Sequence, residues 1–351
     1  MPGGITGGFG SNLTLNGGVV GLGNGDFTRG LGASSNQVRF TSSGGFAAYT
    51  ADRSVNFGGL ELPATATWGF GSFVPDGQPL ILGAADATHM VTVLNPLDLG
   101  TAGRTIRVDN GSASTDAVLS GDITATTSAG GLTKTGAGTL VLSGANTYTG
   151  TTTVSAGTLL ANNTTGSGTG GNSVIVGAAG TLGGTGTITG VVTVDGKLSP
   201  GNSIESLATG TVNLNTGSTL VFESSFSDAN FADLLDIAGS LNISGTVTLD
   251  LLGADLANLS WVVGDKLSIA SYTGTWNSGT FDGWADDSTQ AFGGNLWMIN
   301  YDDLVAGKNF TSEQAGAAGY VTLTAAVPEP TSAMLLLVGA LGMLNRRRRQ
   351  A

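Results

Sequence analysis

The sequence predicts an all-β chain, and three observations predict it. Glycine is abundant, with 59 residues in 351, and it falls between short apolar pieces without the three-residue period of collagen. Those pieces alternate apolar and polar residues, the period-two pattern of a strand with one buried face. No helical period free of glycine runs for a useful length before residue 330. A 40% hydrophobic content supplies apolar area for a core, so an ordinary disordered polymer is excluded.

Residues 1–129 read as a Gly-rich N-terminal β-region with irregular connections, continuous with the more regular stretch after residue 130. Its start, Met1-Pro2-Gly3-Gly4, lacks the basic opening and apolar run of a secretory leader, and the first basic residue is Arg29. The expectation there is a truncated or misassigned start, or an export route that the residues do not reveal.

Residues 130–250 are the most regular stretch. In Thr246-Val247-Thr248-Leu249-Asp250-Leu251 the side chains of Val247, Leu249 and Leu251 share one face. Similar bursts stand at Leu13/Leu15, Leu140/Leu142, Val174/Val176, Val212/Leu214, Leu220/Phe222 and Leu241/Ile243. Gly-bearing turns such as Gly136-Ala137-Gly138, Ser155-Ala156-Gly157 and Asp195-Gly196 separate them. The spacing favours a parallel β-helix-like solenoid, in which each short strand stacks on its equivalent one coil away. A sandwich also fits, because periodicity does not set strand order.

Residues 251–326 concentrate Trp261, Trp276, Trp284 and Trp297 with Phe281, Phe292, Tyr301 and Phe310. They predict a β-rich C-terminal cap module, since the end of a stack exposes apolar surface and unpaired strand edges. Residues 327–351 differ from all the rest. Two prolines in Val327-Pro328-Glu329-Pro330 end any strand, and Ala333 to Leu344 are free of charge before Asn345 and Arg346, Arg347, Arg348 and Arg349. A short hydrophobic helix over 331–345 would span about 22 Å, less than a full bilayer core. It predicts transient inner-membrane insertion with the arginines cytoplasmic, the architecture of a removable anchor.

Charge excludes some partners. Without Glu329 and the four terminal arginines the body holds 24 acidic against 9 basic residues, so nucleic acid is not an expected partner. With no Cys, disulfide and thiol chemistry are excluded. His89 is the single histidine and carries neither a triad nor a transition-metal site by itself. Asp286, Asp287, Asp302 and Asp303 are the densest carboxylates, but neighbours on a strand point to opposite faces, so solvated loop positions are expected. No catalytic residue, metal or cofactor is predicted, and the protein is read as a non-enzyme. Exposed Trp276, Trp284 or Trp297 stacking on sugar, or a β-helix polysaccharide-degrading enzyme, are the alternatives.

Two stretches resemble known families. GGLTKTGAGTLVLSGANTYTGTTTVSAGTLLANN, residues 130–163, is similar to the autotransporter-associated β-strand repeat along its whole length. GTLGGTGTITG (180–190), LSPGNSIESL (198–207) and GTFDGWADDSTQAFGGNLWMINYDD (279–303) resemble sequence found downstream of such repeats. The VPEP element, the apolar run and the four arginines resemble the PEP-CTERM sorting signal. The resemblance implies an exported bacterial surface or extracellular-matrix protein that serves adhesion or biofilm. It implies an exosortase-type processing enzyme as partner, with Pro328, Glu329 and Pro330 as the recognition element and Arg346 to Arg349 as the charge stop. Extracellular polysaccharide or other surface proteins are the further partners implied. The outer-membrane barrel of true autotransporters is not expected in the residues after 326.

Overall fold

The computed structural model describes residues 11–326 apart from 60, 128, 226–229, 253–255, 257–260, 293–294, 311–313 and 315. The helix expected over 331–345 lies outside the described residues. Among the described residues no helix is long and apolar enough to cross a membrane.

The body is all-β, and its strands form ladders that climb along one axis. The first ladder runs through Val19–Leu22, Gly44–Ala48, Leu80–Leu82, Arg104–Val108 and Leu132–Thr135, every pairing parallel. It continues through the start of Thr152–Ala161, the start of Val174–Gly184, Val192–Val194, Val212–Leu214 and Leu241–Ile243. The second begins with Phe27–Thr28, Arg53–Asn56, Val91–Val93, Ala117–Leu119 and Thr139–Leu142. It goes on through the ends of the same two long strands to Lys197–Pro200, Thr219–Glu223 and Thr248–Leu252. A third side carries Ala66–Thr67, Leu97–Asp98 and Ile123–Thr124, then Thr187–Ile188, Ser206–Thr209, Leu234–Ile237 and Lys266–Tyr272. Between those two sets, backbone bonds from Thr147 to Ile123, Asn146 to Ser167 and Gly168 to Thr187 carry the stack across without strands.

This is a solenoid, and the sandwich alternative is set aside by strand order. Each strand pairs with its equivalent in the next coil, whereas a sandwich of this kind would pair strands antiparallel. In the most regular part Leu132 pairs with Thr152, Thr152 with Val174, Val174 with Val192 and Val192 with Val212, steps of 20, 22, 18 and 20 residues.

Alternation decides what points inward. Leu140, Leu159, Leu182, Leu198 and Leu220 are in register, one per coil, and each is at most 1% exposed. Identical branched side chains stacked at the strand spacing fill the interior with little void. Val247, Leu249 and Leu251 are buried together, as the pattern requires. The predicted turn at Ser155-Ala156-Gly157 is instead a corner inside one strand, Thr152–Ala161. Gly157 takes φ +66° there, and a Cβ would meet the carbonyl oxygens of Gly136 and Gly138 at 2.5 and 2.6 Å. The corner is passable to glycine because both the conformation and the neighbouring coil refuse a side chain.

The far end is closed by a change of pairing. Lys266–Tyr272 pairs parallel with Leu234–Ile237 on one edge and antiparallel with Gly319–Ala326 on the other. Asn295–Asp303 and Thr289–Phe292 extend that antiparallel sheet. The aromatic residues fill it, with Trp261 edge-on to Trp297 at 5.4 Å and Trp276 stacked on Tyr301 at 5.2 Å.

Asp233 lies at this junction, fully buried, and accepts the amides of Glu205 and Glu223 at 3.2 and 2.9 Å. Burial pushes its carboxyl from 3.8 up to about 8, helped by the Glu223 and Glu205 charges and opposed by those two amides. Folding thus favours the protonated form. The stability it contributes is fully present below about pH 4 and is lost as pH rises through about 8. The thermal midpoint is expected to fall between mildly acidic and alkaline buffer, and the slope to flatten in Asp233→Asn. An unchanged slope in that variant would refute the assignment.

Candidate functional site

Where the structure places the polar residues of the 130–163 stretch shows what they do. Lys134 occupies an inward position in a column otherwise made of Ile106, Val154, Val176, Val194 and Leu214. It is fully buried, and its Nζ donates to the carbonyls of Thr135, Gly136 and Ala156 at 3.3, 2.8 and 2.9 Å. Burial pulls its pKa down to about 8, while Asp116 and Asp109 pull the other way. Asn146 receives the Ile123 amide at 2.7 Å and donates to Gly168 at 2.6 Å, joining three coils. The Tyr148 hydroxyl, wholly buried, bonds Thr152 at 2.7 Å, and burial holds its pKa far above the ordinary value. These residues act as struts between coils. Lys134 was not among the residues singled out from the sequence, and its place between Thr133 and Thr135 in a period-two strand was the signal that could have found it.

Among the described residues, the outer face of the second ladder carries a site-like groove. A groove of about 450 Å³ is lined by Thr139, Thr158 and Thr181 in one register column and Val141, Leu160 and Gly183 in the next. Ser114, Thr115, Asn162 and residues 199–203 complete it, and Glu223 is the one charged residue in its described lining. Hydroxyls beside an apolar strip can hold a neutral polymer by hydrogen bonds and dispersion.

The other candidates disperse. His89 makes an isolated bridge to Ala48, and its Nδ1 shares a 2.8 Å bond with the Thr88 hydroxyl. Asp286 receives the Tyr301 amide at 3.1 Å, and Asp287 receives the Asn300 side chain at 2.7 Å. Asp303 is half-buried; burial would raise its pKa, but Lys266, the Val305 amide and the Thr322 hydroxyl hold it below the ordinary value. All are loop and sheet fasteners. Among the described residues no three His, Cys, Asp or Glu are grouped to hold a metal ion. The tryptophans do not form an exposed row: Trp261, Trp284 and Trp297 are buried, and Trp276 is half-buried with its Nε1 donating to Gly279. The alternative of an exposed sugar platform on Trp276, Trp284 or Trp297 is therefore set aside, because Trp284 and Trp297 are buried and Trp276 stacks on Tyr301. Pro328, Glu329, Pro330 and Arg346 to Arg349 lie outside the described residues. The last described residue, Ala326, ends a strand that is paired on both edges.

Comparison with known proteins fits this architecture. Residues 132–161 match the model of the passenger-associated-transport-repeat. Residues 326–349 match that of the PEP-CTERM protein-sorting motif. The chain is similar to the adhesin BmaC autotransporter of Brucella suis biovar 1 (strain 1330), 32% identical over 176 residues. That similarity covers 49% of this chain and only 4% of the relative's length. The two matches coincide with the most regular coils and with the stretch that leaves the cap. The chain is an all-β protein carrying an autotransporter-associated repeat within its solenoid and a PEP-CTERM sorting motif after its cap.

Proposed function

We propose that the protein is an exported cell-surface or extracellular structural solenoid with an adhesive role, sorted through its C-terminal tail. The observation that carries this is the pairing of a sorting motif at 326–349 with a rod whose polar groups are spent on holding coils together. A body of that kind works by repetition: the ladders stiffen it, and its hydroxyl-rich outer faces meet glycans or other surface proteins. The adhesin name of the relative supports the adhesive part. Residues 1–129 would form the first coils, 130–250 the repeat region, 251–326 the cap and 327–351 the sorting signal. An exosortase-type enzyme would recognise Pro328, Glu329 and Pro330, with 331–345 held transiently in the inner membrane and the four arginines as its stop. Glycan binding is the second reading, favoured by the groove over Thr158 and Leu160.

The test is mass spectrometry of the mature protein from its host after fractionation. A C-terminus at or near Pro328 to Pro330, outside the cytoplasm, supports the reading. An intact tail in the cytosol would overturn it.

A further inference from the structure

The groove over Thr158 and Leu160 is built as a track along the rod. Its threonines stand one per coil, Thr139 beside Thr158 and Thr158 beside Thr181, so their hydroxyls repeat at the strand spacing of about 4.8 Å. All three are half-buried, and among the described residues none of their hydroxyls has a hydrogen-bond partner within the protein. An aliphatic strip runs beside them. Val141 points outward, between the inward Leu140 and Leu142, yet it is only 8% exposed, sheltered in the groove that Ser114 and Thr115 border. Leu160 follows in that column, and then Gly183. A Cβ on Gly183 would stand 2.4 Å from the Ser199 carbonyl oxygen and 3.2 Å from Leu160, so glycine keeps the strip open where the far wall approaches. At that wall the chain turns back, with Gly184 and Gly201 bridged antiparallel. Buried Asp233 pins its base by accepting the Glu205 and Glu223 amides.

We propose that the groove holds a neutral, extended β-linked polysaccharide chain lying parallel to the rod axis, one sugar unit per coil. The proposal rests on the glycan reading of this groove. Direction follows from periodicity. Hydroxyls recur along the axis, across the strands, whereas along a strand Thr158 gives way to Leu160 two residues on. An extended β-1,4-linked pyranose chain advances per unit by nearly the strand spacing, so each sugar meets the same pair of groups. A threonine hydroxyl bonds its polar edge, and an aliphatic side chain lies against its ring C–H groups. An α-1,4-linked chain curls and leaves that register. Charge sets the class: Glu223, the one charged residue in the described lining, repels carboxylated or sulfated chains and costs a neutral one nothing. The borders lie one coil beyond Thr139 on one side and one coil beyond Thr181 on the other. Four strand spacings make a track of about 19 Å, room for about four units. Each hydrogen bond made in place of water contributes little, so affinity accumulates with chain length.

The test is calorimetric titration of the full chain, in a detergent without a sugar headgroup. The probes are cello-oligosaccharides of increasing length up to cellohexaose, with maltohexaose and hexagalacturonate beside them. Affinity for the cello-oligosaccharides is expected to rise through about four units and then level off. Maltohexaose and hexagalacturonate should bind about ten-fold more weakly than cellohexaose, or less. Thr158→Val keeps the side-chain shape and should weaken cellohexaose about five-fold. Leu160→Glu should abolish measurable binding, while Thr153→Val, on the outer face of the first ladder, should leave it unchanged. Thermal melts check that each variant folds, and Thr181→Val repeats the hydroxyl test should Thr158→Val melt early. A rise that stops at two units would overturn the axial path. Equal binding of maltohexaose or hexagalacturonate would overturn the extended, neutral class. Cellohexaose binding indifferent to both Thr158→Val and Leu160→Glu would overturn the groove and leave glycan binding to another face. No binding of any of the three sugars would remove the glycan reading as well, and would leave the sorting reading to its own test.

Discussion

Replacing Pro328, Glu329 and Pro330 together by alanine is expected to abolish the processed form and leave full-length precursor in the membrane fraction. The reason lies in backbone chemistry. Proline lacks an amide hydrogen and disfavours the helical region in the residue before it, so Pro328 and Pro330 restrict the backbone around Glu329 in a way that alanine would not. Three alanines would remove the Glu329 charge and the proline restriction together. The body should fold as before, because its last strand ends at Ala326, ahead of the substitutions. The measurement is the intact mass and fraction of the protein in its host, beside the unaltered chain. Normal processing of the triple variant would eliminate these three residues as the recognition element.

The largest stability effect is expected from Leu182→Asp. Leu182 is fully buried and in register with Leu159 on one side and Leu198 on the other. An aspartate there would place a carboxylate in a column of leucines with no cation facing it, and the loss should exceed about 4 kcal/mol. A solenoid is quasi-one-dimensional, so the damage should centre on the coils around residue 182 and open new protease sites there first. Thr181→Ala, one residue away on the outer face, should change stability by less than about 0.5 kcal/mol. Denaturant melts of the two variants, with peptide mapping of limited digests, compare them directly. Equal effects from neighbouring positions would contradict the inward and outward assignment.

That pair of residues marks how far the sequence could be read. Alternation is local, so the faces of Leu140, Val174, Val212 and Leu249 could be assigned from their own neighbours, and they are buried as expected. Strand order is not local. Whether Leu132 pairs with Thr152 or with some closer strand depends on hydrogen bonds across about 20 residues, which no period records. The corner at Gly157 reads as a loop for the same reason, since glycine signals a turn and the neighbouring coil decides that the strand continues through it.

The sites divide along the same line. The tail motif was readable because it is contiguous: two prolines, an apolar run and four arginines in one stretch. Lys134 was missed although it alternates with Leu132 on the inward face, because the Ala156 carbonyl that helps to close around its ammonium comes from the next coil. The sugar-stacking alternative fails in the opposite sense, since Trp297 packs against Trp261 and Trp276 against Tyr301, contacts no local pattern records. By itself the sequence determined the all-β class, the inward residues and the tail. Tertiary structure alone decided the parallel stacking, the groove over Thr158 and Leu160 and the buried lysine. Each of those depends on groups that distant coils bring within a few ångströms, and such proximity is a property of the packed stack.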